Sequence, residues 1–246
     1  MCTVTIIPMG DHGYRLVTNR DERRERPPAL PPRRFRIPAS DIAALWPVDP
    51  VGSGTWIGVN ELGLAAAALN LNEVPDTTPR PTPARSRGTI IPTLLAQASA
   101  RPAADALRRI DLGGVLPFRM AIVDPAEMFV ARWDGAALDI APAPLHPTCL
   151  ASSGLGDALV TPRLGLFERE VVRAGARPAT QDAFHDHQWP DRPEISVRME
   201  RAAARTVSRT SVTVDDDRIS LRYEPIGGTP AALELARTPS RSAARE

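Results

Sequence analysis

The sequence predicts an α+β fold, a four-layer αββα sandwich in which two antiparallel sheets are flanked by helices. Three observations predict it. The apolar runs come in the order strands, helices, strands, helix, strands. The strands follow one another as hairpins across short turns, which is the signature of antiparallel pairing. The helical stretches each carry one apolar face, so they belong on the outside of a sheet.

Residues 2–9 are β-branched and apolar, and after the Gly10–Gly13 turn residues 14–20 resume as a second strand. Residues 27–52 hold seven prolines among the anchors Phe35, Ile37, Leu45 and Trp46, which predicts a long loop packed on the domain. A second hairpin runs through Gly54–Asn60 and Leu64–Leu69 across the turn Glu61-Leu62-Gly63. A proline-rich stretch at 73–87 follows, then helical spacing over 89–100 and 102–110. Strands are expected at 118–123, 127–133, 137–141 and 148–152. The spacing predicts a helix over 160–173, with Thr161 as N-cap, Pro162 in the first turn, and Leu164, Phe167 and Val171 as its apolar stripe. A polar connector is expected over 175–194, strands over 206–214 and 217–223, and a flexible tail over 227–246 behind a single domain of 1–226.

Composition excludes several function classes. All 30 basic residues are arginine, since the chain of 246 residues contains no lysine. Schiff-base lysine chemistry and a P-loop NTPase are therefore ruled out. A formal net charge of +1 gives no electrostatic reason to expect a nucleic-acid partner. No apolar run reaches the roughly 18 residues of a membrane span, so no membrane span is expected. The N-terminus lacks a basic leader and cleavage site, and a cytoplasmic location is the expectation. The 26 prolines and 16 glycines point to ordered loops. Two cysteines, Cys2 and Cys149, form neither a disulfide framework nor a zinc motif.

Cys2 carries the chemistry. Removal of Met1, which a small second residue permits, would place a thiol and a free α-amine on one residue. Reference values of about 7.7–8.0 for the amine and about 8.5 for the thiol let the amine act as general base. The plain alternative is a buried cysteine that packs as a small hydrophobe.

Residues 19–22 read Asn19-Arg20-Asp21-Glu22 on the strand after the one bearing Cys2. Together with Gly54-Thr55-Trp56-Ile57-Gly58-Val59-Asn60, Gly63-Leu64, Leu69-Asn70 and Ser86-Arg87-Gly88, they resemble the NRDE family, also called the transport and Golgi organisation family. That family in turn is similar to the choloylglycine hydrolase and penicillin V acylase branch of N-terminal nucleophile hydrolases. There too a Met-Cys start precedes an Asn-x-Asp step, and an Asn-Glu-x-Gly-Leu turn leads to Leu-Asn.

The resemblance implies Cys2 as nucleophile and base, Asp21 as the group that holds the α-ammonium or orients the thiol, and Asn70 as an oxyanion donor. It places Asn19, Arg20, Asn60, Ser152 and Arg209 in supporting positions, with Arg205 the other candidate for the late-sheet arginine. An amidohydrolase acting on a linear amide or related acyl bond through a Cys2 thioester is the activity implied, with a small-molecule substrate, no cofactor and no metal. The chain departs from the hydrolase branch in three places, one of them the late-sheet arginine with its two candidates. Thr18 stands where that branch has arginine, and Ser152 stands where it has asparagine. Arg20 lies on the opposite strand face from Asp21, where Glu22 is its neighbour.

The resemblance also implies a second class of function on the same fold, a non-catalytic haem or lipid binding or trafficking protein, since members of the NRDE family have been linked to haem or lipid handling. Its candidate haem ligands are Cys2, His12, His146, His185 and His187, without a Cys-x-x-Cys-His step. His185-Asp186-His187 reads as part of the solvated connector. The arginines at 20, 23, 24, 26, 33, 34 and 36 read as a charged face paired with Glu22 and Glu25, or as an anion site. Oligomeric state and substrate identity have no signal in the sequence.

Overall fold

Two eleven-residue strands, one near each end of the chain, pair along most of their length and set the first sheet. The computed structural model describes residues 2–73 and 85–238. In chain order its first strands are β1 (Cys2–Met9), β2 (Gly13–Arg23), β3 (Leu30–Ile37), β4 (Ile42–Val48), β5 (Ile57–Asn60) and β6 (Ala65–Asn70). Helices α1 (Ile90–Leu94) and α2 (Ala100–Arg109) lead to β7 (Phe118–Val123), β8 (Met128–Trp133), β9 (Leu138–Ala143) and β10 (Thr148–Ala151). Then come α3 (Thr161–Phe167), a wider helical turn over Glu168–Val172, α4 (Pro178–Asp186), β11 (Ala204–Val214), β12 (Arg218–Pro225) and β13 (Ala231–Ala236).

The first sheet has the order β10-β1-β2-β11-β12-β13, the second β3-β4-β5-β6-β7-β8-β9, and all their pairings are antiparallel. Strand alternation sorts the side chains into three apolar layers. Val4, Ile6, Leu16, Val59, Ala67, Val212 and Leu221 fill the space between the sheets. Ala66, Met120 and Ile122, on the opposite pleat, meet Ile91, Leu94 and Leu107 of α1 and α2. Ile7 meets Leu166, Phe167 and Phe184 beyond the first sheet. The result is the expected αββα stack.

Four expectations are corrected. Residues 27–52 are not a loop but largely the β3–β4 hairpin at the edge of the second sheet. Prolines at 31 and 32 hide it because an edge strand tolerates missing donors, and the register shifts between Leu30 and Arg33. The connector at 175–194 contains α4, whose buried face is partly polar, with Gln181 and His185 beside Phe184. Residues 227–246 are not all tail, since β13 pairs with β12 and buries Leu235; the domain boundary at 226 therefore falls short of the last strand. In the third helix Val160 takes the cap position, Leu164 is 43% exposed, and the buried side chains are Arg163, Leu166 and Phe167. The expected proline-rich stretch falls mostly on residues 74–84, outside the described residues.

Two sequence motifs meet backbone to backbone. Thr55 N–H donates to Gly88 O at 3.1 Å, and a Cβ placed on Gly54 would lie 2.4 Å from the Gly88 carbonyl carbon. This contact joins the Gly54–Asn60 segment to the start of the first helix pair.

Candidate active site

Cys2 opens β1 and is paired in register with Arg20 on β2. Directly opposed residues share a face, and Val4 and Ile6 show that this face looks between the sheets. Arg20 accordingly lies over the Trp56 ring, 4.6 Å from its centroid, and pairs with Asp49 at 3.1 Å and Glu22 at 3.4 Å. Arg26 joins the same two carboxylates, and Arg24 pairs with Glu200. Arg20, Arg24 and Arg26 of the arginine-rich segment are thus tied to carboxylates.

Thr3, Asn19 and Asp21 face the other way, toward α3 and α4. Asp21 is buried, accepts from Thr206 Oγ1 at 2.6 Å, and lies 3.9 Å from Arg163 Nη1. Burial pushes the Asp21 carboxyl above the usual carboxylate range, against the pull of the Arg163 charge. The Cys2 thiol is also raised by burial, with the Asp21 charge adding to the rise, while the chain-terminal ammonium, a backbone hydrogen bond from Asp21 and the charge of Arg20 oppose it.

Ser152 follows β10 and is joined to Cys2 twice. Its N–H donates to the Cys2 carbonyl at 3.0 Å, and its Oγ accepts from the Cys2 N–H at 3.3 Å. Its neighbour Ser153 accepts from Arg201 Nη2 at 2.9 Å. The structure therefore brings Cys2, Asp21, Arg20 and Ser152 together at one end of the first sheet. Asn70 ends β6 on the facing sheet, half-buried and opposite Phe118.

Three other residues from the sequence have different partners. The Asn60 amide donates to Leu95 O and Gln97 O at 3.0 and 2.8 Å, and its Oδ1 accepts from the N–H groups of Leu62 and Leu64. That side chain builds the Gly63 turn (φ +87°) and ties it to the end of α1, so its role is structural, not oxyanion support. Asn19 likewise donates to His185 O and Val197 O and accepts from His185 Nδ1, which makes it a tie to α4. Arg209 pairs with Glu224 at 3.0 Å and Asp186 at 2.9 Å, an ionic cluster on the α4 side. Arg205 is exposed, opposite Glu22 in register.

Sequence reasoning missed Arg163 and His185. His185, expected in solvent, is fully buried. Asn19 uses its amide N–H groups on two carbonyls, so its Oδ1 faces a protonated Nδ1 at 3.0 Å, leaving Nε2 to accept from Thr5 Oγ1 at 2.7 Å. Burial, reinforced by the charges of Arg209, Arg15 and Arg163, holds this imidazole neutral with its pKa well below the usual value. Both ring nitrogens are engaged, which removes His185 from the candidate haem ligands. No group of three or more His, Cys, Asp or Glu able to hold a metal occurs among the described residues. Cys149, on β10, lies beside a cavity of about 500 Å³ that is also lined by Arg119, Arg132, Leu150, Ala151 and Leu164. Burial pushes its thiol up to about 12.

The profile of the family described as "Transport and Golgi organisation 2" matches residues 1–139, more than half of the chain. The chain belongs to this family. No curated protein matches the sequence. Among solved structures, the fold is similar to conjugated bile acid hydrolase from Clostridium perfringens. A Cys-to-Ala mutant of it is 14% identical with a TM-score of 0.59, over 96% of this chain and 92% of that one. An Arg-to-Leu variant is 13% identical with a TM-score of 0.59, over 99% and 100%. The Caenorhabditis elegans ortholog of N-acylethanolamine-hydrolyzing acid amidase is 12% identical with a TM-score of 0.55, over 85% and 92%. The family member thus has the N-terminal nucleophile hydrolase fold. No helix among the described residues is long and apolar enough to cross a membrane.

Proposed function

We propose that the protein is a cysteine N-terminal nucleophile amidohydrolase that cleaves a linear amide or related acyl bond. The observation that carries this reading is the setting of Cys2, at the first position of a strand, with Ser152 on its main chain and Asp21 beside it. After Met1 removal the α-amine takes the thiol proton as the sulfur attacks the acyl carbon. The resemblance assigns the tetrahedral oxyanion to Asn70; the ammonium returns the proton to the departing amine, and water then hydrolyses the thioester to a carboxylic acid. A positioned oxyanion donor is worth about 10²–10³ in rate. The hydrolase and amidase names of the structural neighbours agree with this chemistry. We also propose a cytoplasmic location, where reducing conditions would keep Cys2 and Cys149 as free thiols.

Intact mass spectrometry of natively expressed protein tests the first requirement, loss of Met1. An electrophilic acyl probe should then add one acyl group to Cys2, and Cys2→Ala should abolish the adduct. Retained Met1, or labelling confined to Cys149, overturns the proposal.

A further inference from the structure

We infer that Arg163 is the positioning residue that holds Asp21 ionised beside Cys2, from the helix layer rather than from the sheet. The inference rests on the reading of Cys2 as nucleophile. At position 18, where the resembled hydrolases carry arginine, this chain has Thr18, fully buried with its hydroxyl directed at Asn19 O. The strand therefore supplies no cation from that position. Arg163 reaches the same carboxylate from α3.

Its environment argues against a purely structural role. The side chain is fully buried; Nε donates to Ile195 O at 2.9 Å and Nη1 to Thr3 Oγ1 at 2.8 Å, with Asp21 Oδ2 at 3.9 Å. Nη2 is buried without a hydrogen-bond partner. A neutral residue would join Thr3 to Ile195 without the cost of burying a charge. A buried guanidinium is retained economically only where a buried anion needs it, and Asp21 is that anion. The groups facing Asp21 are Arg163 from α3, the chain-terminal ammonium, Thr206 from β11 and Arg201 from the segment before β11, with Cys2 on β1. Those facing Cys2 are the chain-terminal ammonium, Asp21, Arg20 and Arg163. With Asp21 ionised, the α-ammonium of a mature Cys2 has its counter-charge; with Asp21 protonated, it does not.

The test is an infrared titration of the Asp21 carboxyl stretch on the full chain, with Asp21→Asn as the spectral reference. Arg163→Met is expected to move the Asp21 titration up by at least about one pH unit, and Arg163→Lys to return most of the shift. The same titration midpoint in wild type and Arg163→Met would overturn the inference. If Arg163→Met does not fold, the double variant Arg163→Met/Asp21→Asn decides, because it removes both charges together. Recovered folding supports the charge role, whereas continued failure assigns Arg163 to tying Thr3 and Ile195. Acylation of wild-type Cys2 is scored separately, so loss of the hydrolase reading is distinguishable from loss of the Arg163–Asp21 coupling.

Discussion

Ser152 Oγ accepts the main-chain N–H of Cys2 at 3.3 Å while the Ser152 N–H holds the Cys2 carbonyl at 3.0 Å. The first residue of β1 is thus fixed from the edge strand on one side, as Arg20 opposes it on the other. A nucleophile at a chain terminus would otherwise fray, since terminal residues order only when tied down.

Ser152→Ala removes the Oγ tie and leaves the Cys2 nitrogen, which is the α-amine once Met1 is removed, with one acceptor fewer. A hydrogen bond of this kind contributes about 1 kcal/mol. Acylation of Cys2 by the acyl probe should slow about five- to tenfold, with little change in thermal midpoint. Stopped-flow or quenched mass spectrometry would measure it, and an unchanged rate would remove Ser152 from the site.

Asn60 and Asn70 separate structure from chemistry. Asn60→Ala leaves two carbonyls and two N–H groups without partners in a buried turn, which should cost about 3 kcal/mol of stability. Asn70→Ala, at a half-buried strand end, should leave the denaturation midpoint close to wild type and reduce Cys2 acylation about 10²–10³-fold. Paired denaturation and labelling experiments on the two variants would show whether the roles divide this way.

His185 gives a pH signature. Its folded pKa lies below its unfolded value near 6.5, so below that value the unfolded chain binds a proton that the folded chain refuses. Stability is therefore fully present above about pH 6.5 and declines as pH falls, by up to about 1.4 kcal/mol per pH unit for one proton. Thermal midpoints between pH 7.5 and 5 should follow this slope in wild type. His185→Gln should flatten it.

Cys149 supplies the internal control. With its thiol near 12, only about one molecule in 10⁴ is thiolate at pH 8. Iodoacetamide at that pH should leave Cys149 unmodified in the native protein and modify it after unfolding. Peptide mapping before and after denaturant reads both states.

Most of the fold was legible because hairpins and amphipathic helices advertise their period in the sequence. The failures share a physical cause: the buried face was not apolar, or the strand was not regular. The α4 helix presents Gln181 and His185 to Thr5 and Asn19, a pattern that reads as solvent-facing until the partners across the chain are known. Prolines masked β3, and only Leu233 and Leu235 marked β13. At the site, Cys2 stood out by its place directly after Met1, and Asp21 and Ser152 were named only through the family resemblance. Arg163 was not, because a charged residue in a helix stripe reads as a neighbour of the apolar Leu164, and only the three-dimensional path of α3 turns it inward. Asn19 and Asn60 carried motif signals as strong as that of Asp21, yet their amides complete backbone hydrogen bonds. Residue type and spacing do not distinguish those uses.

The meeting of Gly54 with Gly88 sets a limit on how the chain can diverge. The obstacle to a side chain at either position is main-chain atoms of the opposite segment, at 2.4 Å in one direction and 2.8 Å in the other. A neighbouring substitution can shrink a crowding side chain, but it cannot shrink a backbone. Descendants of this sequence can therefore exchange much of the surface, and even the arginines, while these two positions have no compensating path away from glycine. In a lineage where other motifs have faded, a Gly–Gly pair at this separation would still mark the junction between the second sheet and its covering helices.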